Sequence, residues 1–296
     1  MLRILLFLIS LSAFAEVEDI LYTENQHAYI RLGTSISEGV YSSVDGNGDD
    51  VDVSGQTKIT NLTYGHMLKG GHFLELSLPY MYFSATELTA NGSLGDVHNS
   101  QGIREPEVKF VHAKSENGSV YNWGVSFIPS LFERKVASED SNQFIGGHEI
   151  SIFGKRGAIY KKWEGSWIGS LKKFFERKEE NLDSNVTYIS SEFYRIATGL
   201  EFQYRYTPKC LIGFYVGMQF TESYSIKSST HSKDNHIQLG TGADVNVSLK
   251  YLQQKDSIYS LALSRTKNDY FVDGETANFR GTYKRYSLSF SYLKKI

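Results

Sequence analysis

The stretch Tyr194-Arg195-Ile196-Ala197-Thr198-Gly199-Leu200-Glu201-Phe202-Gln203-Tyr204-Arg205-Tyr206 decides the fold. Tyr194, Ile196, Thr198, Leu200, Phe202, Tyr204 and Tyr206 share one face of an extended chain, and Arg195, Ala197, Gly199, Glu201, Gln203 and Arg205 share the other. Strands of soluble sheets also alternate, but they rarely run so far. At about 3.3 Å per residue and a tilt of about 45°, the span from Tyr194 to Tyr204 covers roughly 23 Å along a membrane normal, close to the roughly 25 Å apolar band of outer-membrane barrels. The pattern predicts a transmembrane strand with apolar side chains toward lipid and polar or small ones toward a lumen.

Working outward, Ile237 to Tyr251 alternates in the same way, with Leu239, Val245, Val247 and Leu249 set against Gln238, Gly240, Asp244, Ser248 and Lys250. Leu74, Leu76, Leu78 and Tyr80 form another face, and so do Ile212, Phe214, Val216, Met218 and Phe220. Compatible alternation recurs near 27–37, 57–67, 106–114, 119–132, 148–156, 160–175, 257–267 and 279–293, which brings the total to about twelve strands. Tight turns are expected at Lys69-Gly70-Gly71, Glu116-Asn117-Gly118, Lys155-Arg156-Gly157, Thr207-Pro208-Lys209 and Gln253-Gln254-Lys255-Asp256. Longer polar stretches lie near 38–56, 84–104, 133–147, 176–188, 225–235 and 268–277. Short periplasmic turns alternating with long extracellular loops are the mark of an all-β, antiparallel up-and-down transmembrane barrel with both termini in the periplasm.

Composition agrees. Twenty tyrosines, 18 phenylalanines and 26 glycines against four prolines favour strands and turns. Residues 1–15 read as a cleavable secretory signal, with Arg3, an apolar run from Ile4 to Ile9 and the small-residue site Ala13-Phe14-Ala15. Residues 16–296 then form a single barrel domain, and Glu16 to Gln26 is too short for a luminal plug domain. No apolar run reaches the roughly 18 residues of a spanning helix. Cys210 is the single cysteine, so neither a disulfide framework nor a lipid anchor at the cleavage point is available. The net charge of −2 is too mild to imply nucleic acid. Expected partners are outer-membrane lipid and lipopolysaccharide, a small solute, and the barrel-insertion machinery. That machinery reads alternating terminal strands such as Tyr286, Leu288, Phe290 and Tyr292, although Leu293 to Ile296 extend past the last aromatic.

By parity the lumen is lined by Arg31, Glu75, Arg195, Glu201, Arg205, Asp244, Lys250 and Arg285. Charges of both signs facing one another admit two readings, a pore that selects its solute or an ion-paired interior that stiffens the barrel. Twelve strands about 4.8 Å apart and tilted about 40° give a backbone radius of roughly 12 Å, enough for a narrow channel. Tyr29 and Tyr215 share the luminal parity, either narrowing the passage or packing against their neighbours.

Asp45-Gly46-Asn47-Gly48-Asp49 resembles the start of a calcium loop, with oxygens of Asp45, Asn47 and Asp49 at alternate positions. It departs at Asp50, where a glycine is expected, and at Gln56, where a bidentate glutamate is expected; the other reading is an acidic external loop. No other cofactor is implied. An outer-membrane lipid hydrolase would need a serine with a positioned histidine. His27, His66, His72, His98, His112, His148, His231 and His236 are scattered, and His231-Ser232 is the closest approach to that pattern. A non-enzymatic barrel is expected.

Gly102-Ile103-Arg104-Glu105-Pro106-Glu107-Val108-Lys109-Phe110, then Phe127-Ile128-Pro129-Ser130, Ile145-Gly146-Gly147-His148-Glu149-Ile150 and the strand from Trp163 to Leu171 resemble the phenol-degradation meta-pathway family of outer-membrane proteins. Glu105 stands where that family has an aspartate. The resemblance spans roughly residues 95–175 and implies a porin-like transporter of hydrophobic or aromatic compounds in the outer membrane of a Gram-negative bacterium. The function expected is passive passage of a small solute. The alternative is a closed structural or surface-interaction barrel that acts through its extracellular loops.

Overall fold

The computed structural model describes residues 28–44, 50–68, 70–88, 94–116, 118–137, 144–230, 234–254, 257–273 and 278–296. Its elements are β1 (Ala28–Val44), β2 (Asp50–Leu68), β3 (His72–Leu88), β4 (Leu94–Ile103), β5 (Glu107–Glu116), β6 (Ser119–Ile128), β7 (Arg134–Val136), β8 (Glu149–Tyr160) and β9 (Trp163–Phe174). They continue with β10 (Arg177–Asn181), β11 (Val186–Ser190), β12 (Phe193–Thr207), β13 (Cys210–Thr221), β14 (Tyr224–Ser228), β15 (Asn235–Leu239), β16 (Gly242–Gln254), β17 (Ser257–Asp273) and β18 (Asn278–Lys295). The proposed signal segment and the calcium-loop residues Asp45, Asn47 and Asp49 lie outside the described residues.

All these strands belong to one sheet. Several elements are two halves of one wall strand: β4 with β5, β6 with β7, β9 with β10, β11 with β12, β13 with β14 and β15 with β16. The wall therefore has twelve antiparallel strands, as the alternation predicted. It closes where β1 pairs with β18, in unbroken register from Tyr29↔Lys295 to Val44↔Arg280. Closure matters because lipid offers no hydrogen bonds, and a sheet without edges satisfies its backbone internally.

The alternation maps onto inside and outside. On β12, Leu200 is 47% exposed toward lipid whereas Gln203 is 4% exposed toward the lumen. Polar side chains that face lipid find partners: Thr34 and Thr60 hydroxyls meet at 3.2 Å, and the Trp167 indole N–H donates to Thr198 at 2.8 Å. Aromatic side chains crowd one rim, where Tyr160, Trp163, Tyr206 and Tyr251 are all exposed.

Two expectations change. The turn placed at Lys155-Arg156-Gly157 lies instead at 161–162, and β8 runs straight through Lys155. The basic Lys-Arg-Gly triplet mimics a turn in composition, but Lys155 is a luminal residue whose charge is neutralised by carboxylates on the neighbouring wall strands. The other rim is also more ordered than its polar sequence suggests. β4 lies inside the expected 84–104 loop, β10 and β11 form a hairpin across 176–188, and β14 and β15 do the same across 225–235. Strands that rise beyond the membrane meet water on the outside, so the apolar half of their alternation disappears while the hydrogen-bond ladder continues. At one rim consecutive strands follow one another closely, as across 161–162 and 208–209, whereas at the other rim strand ends lie farther apart in sequence, as with Val44 and Asp50, Leu88 and Leu94, and Val136 and Glu149. These are called the turn rim and the loop rim.

A wall strand breaks once in a way that shapes the interior. Tyr80 pairs with Ile103 and Ser77 pairs with Glu107, so three residues, Arg104 to Pro106, oppose Leu78 and Pro79. Pro79 has no N–H to give, and its carbonyl accepts from Arg104 N at 2.9 Å. The resulting bulge turns Glu105 into the lumen. Leu200→Arg, on the lipid face, is expected to lower stability by about 2–4 kcal/mol in urea titrations of vesicle-embedded protein, while luminal Ala197→Ser stays within about 0.5 kcal/mol.

Candidate functional site

The lumen is the one surface where the fold concentrates buried charge. Glu75, 2% exposed, accepts a hydrogen bond from the Tyr29 hydroxyl at 2.5 Å. The Tyr29 ring can lie there only because Gly65 is beneath it: a Cβ at Gly65 would come within 2.2 Å of the ring. Tyr215 lies against Gly199 and Gly217 in the same way, flat on the wall, so it lines the passage without crossing it.

Lys155 joins three wall strands. Its amine is fully buried and lies 2.7 Å from Glu164 and 2.5 Å from Glu201, on neighbouring β9 and β12. A second cluster surrounds Glu149 on β8, which receives Lys172 at 2.9 Å and a short bond from Arg177 Nη2. Arg104 faces the same carboxylate. Glu105, from the bulge, accepts the Ile145 amide on both oxygens, at 2.8 and 2.9 Å, and so holds the descending 144–148 segment against the interior. Near the loop rim, Arg134 Nε and Glu179 pair at 2.9 Å.

Apolar surface divides the rest of the lumen into two arcs. Tyr29, Phe73, Val111 and Phe153 pack together near the turn rim. Near the loop rim, Tyr41, Phe174, Phe193, Tyr224, Ile226, Ile237, Tyr270, Val272 and Tyr283 form a larger cluster with Ile145. Within it Phe174, Phe193 and Tyr224 stack in series at 4.5 and 4.3 Å, and Tyr41 stacks on Tyr283 at 4.4 Å.

The eight luminal residues expected from parity divide into groups. Arg195 donates Nε to Thr221 at 3.0 Å, and Asp244, 4% exposed, lies in the field of Arg285 and Arg195. Glu201 belongs to the Lys155 bridge. Arg31, Lys250 and Arg285 are half-buried on the luminal face, with Arg285 Nε on Ser287 at 3.3 Å. Arg205 is exposed at the turn rim, where the ladder slips between Arg205 and Thr207, and lies apart from the buried clusters.

Lys155, Lys172 and Arg177 were not placed in the lumen from the sequence, and Glu105 and Glu149 entered only as members of the family-like motifs. Lys155 was hidden by its turn-like neighbours. Arg177 was hidden by a shift in alternation, since Phe174 and Arg177 both face inward although three residues apart. The charged pairs of the interior leave no periodic signal, although a cluster of basic residues inside an otherwise clean strand is a usable hint for Lys172.

No family model and no curated protein matches this chain. Solved structures do. The COG4313 outer membrane channel from Pseudomonas putida F1 superposes with a TM-score of 0.65 at 12% identity, covering 95% of this chain and 100% of its own. It has the fold of outer-membrane channel barrels. The transport unit of the autotransporter AIDA-I from Escherichia coli follows with a TM-score of 0.56 at 11% identity, over 99% of this chain and 97% of that one. A mutant of TodX, a monoaromatic hydrocarbon channel, gives 0.50 at 8% identity, over 92% and 91%. These likenesses show the fold, a closed β-barrel of the kind seen in outer-membrane channels and autotransporter units.

Removing the Lys155 amine would leave Glu164 and Glu201 facing each other without a counter-charge. Lys155→Met is therefore expected to destabilise the barrel by about 3 kcal/mol in urea titration, with partial recovery when Glu201→Gln is added.

Proposed function

We propose that the protein is a passive outer-membrane channel for small solutes that carry an apolar, and in particular an aromatic, part. The observation that carries this reading is the arrangement of the lumen: two apolar arcs at opposite rims, separated by paired charges and hydroxyls such as Thr63 with Ser77 at 2.9 Å and Ser126 with Ser151 at 2.5 Å. A solute with one apolar face finds complementary surface at both mouths and polar partners between them. The named substrate of the TodX neighbour, a monoaromatic hydrocarbon, is of the same chemical kind. Such a barrel acts without catalysis, cofactor or energy source. Its turn rim and both termini face the periplasm, its loop rim meets lipopolysaccharide, and its leader is removed on export.

A second reading has an observation of its own. Lys155 and Arg177 are already held by carboxylates, which suits an interior built for rigidity and a barrel that works through its loops.

Planar-bilayer recordings separate the two. The channel reading expects discrete conductance steps that shrink when benzyl alcohol occupies the lumen, and an anion preference that falls severalfold in Arg195→Gln. A barrel that is folded by gel-mobility shift, electrically silent and impermeant to small solutes in proteoliposomes would sink it.

A further inference from the structure

The aromatic stack at the loop rim and the cationic side chains beside it form one cluster on the luminal wall. Phe174 carries Phe193 on its ring at 4.5 Å, and Phe193 carries Tyr224 at 4.3 Å. Around the same Phe174 ring lie Arg177 at 4.7 Å, Arg195 at 5.1 Å and Lys172 at 5.3 Å from the centroid. Three cations on one aromatic ring is more positive charge than the ring needs or can neutralise.

The carboxylates do not balance it. Among the described residues, Glu149 serves Arg177 and Lys172 together, Glu105 is spent on the Ile145 amide, and Asp244 is shared between the fields of Arg195 and Arg285 without an ion pair to Arg195. Arg195 gives Nε to a neutral hydroxyl, Thr221, and no carboxylate of the described residues lies within ion-pair distance of it. Arg195 and Lys172 both remain partly open to the lumen, Lys172 with 22% of its side chain exposed. Next to them the Tyr224 hydroxyl, on a residue 3% exposed, meets no hydrogen-bond partner among the described residues, and Arg177 and Arg195 are the charges that face it. A buried hydroxyl without a partner and an excess of desolvated positive charge are each costly, and one anionic oxygen pair relieves both.

We infer that this cluster is a binding site for small aromatic carboxylates, with the carboxylate entering on the partly open side of Arg195 and Lys172, reaching the Tyr224 hydroxyl, and the ring meeting the Phe193–Tyr224 edge of the stack. The fork of Arg195 suits a carboxylate better than a spherical anion, and the stacked rings suit a planar aromatic better than an alkyl chain. The inference rests on the channel reading for the solute's route to the site and names the class of solute.

Binding and passage are read separately. Isothermal titration of the purified full-length barrel in detergent compares benzoate with benzyl alcohol, its neutral counterpart, and with acetate, which lacks the ring. Benzoate is expected to bind at least about ten-fold more tightly than either, because a charged hydrogen bond and a ring contact each contribute on that scale. Arg195→Gln should weaken benzoate about ten-fold and leave benzyl alcohol unchanged, and Tyr224→Phe should weaken it about three-fold. Gel-mobility shift confirms that each variant is folded, and Lys172→Gln serves as a second probe if Arg195→Gln does not assemble. Equal affinity for acetate would reduce the cluster to a plain anion site and overturn the inference, as would equal affinity for benzyl alcohol or benzoate binding unaffected by any of the three substitutions. Uptake of benzenesulfonate, which stays charged, into proteoliposomes tests the channel itself. Binding without uptake leaves the site and removes the channel; uptake of aromatic solutes without benzoate binding leaves the channel and removes the site.

Discussion

Everything in this protein depends on the pairing of its first and last strands. A backbone N–H or C=O left open toward hydrocarbon costs several kcal/mol, so a sheet in lipid must have no edge. The continuous register of β1 against β18 meets that demand over their full shared length. Once the ring is closed, the two faces of each strand acquire different solvents. Outward residues need only be apolar or locally satisfied, as Thr198 is by the Trp167 indole. Inward residues are confined to a narrow space where charge is poorly solvated, and they must be arranged in pairs.

That second demand explains the interior. Lys155 lies between two glutamates, Glu149 receives a lysine and an arginine, and Glu75 takes the Tyr29 hydroxyl. Each group ties neighbouring wall strands together as well as neutralising charge, so solvation and rigidity come from the same contacts. Large rings fit beside them only where the wall lacks a side chain, as at Gly65 under Tyr29 and at Gly199 and Gly217 under Tyr215. Laid flat, those tyrosines leave cross-section that upright rings would fill. The interior is graded along its length, with buried apolar clusters toward the two rims and hydroxyl pairs such as Ser126 with Ser151 between.

Irregularity in the wall places the most unusual residues. Pro79 interrupts the ladder and the three-residue bulge opposite it turns Glu105 inward, where it anchors the 144–148 segment. A slip after Phe174 brings Arg177 into the lumen beside Glu149. Both features fall in or next to the segment whose motifs resemble a family of outer-membrane transporters, and both put a charged group where regular alternation would have placed it toward lipid or solvent.

The sequence alone determined the wall: the strand number, the lipid-facing sets such as Ile196, Leu200 and Phe202, and four of the five tight turns. These follow from a two-residue period imposed locally by an apolar solvent, and a local rule is legible in a local pattern. The polar rim was misjudged because strands that leave the membrane lose the apolar half of that period while keeping their hydrogen bonds. Parity also named the luminal face of Arg195, Asp244 and Glu201. Their partners were decided only by the tertiary structure. Lys155 meets Glu201 two wall strands away, and Arg177, Arg195 and Lys172 converge on Phe174, because the register of β12 on β9 sets Arg195 opposite Lys172 and the shift after Phe174 turns Arg177 inward. Closure and shear act between strands, and they leave no trace in the alternation of any one of them.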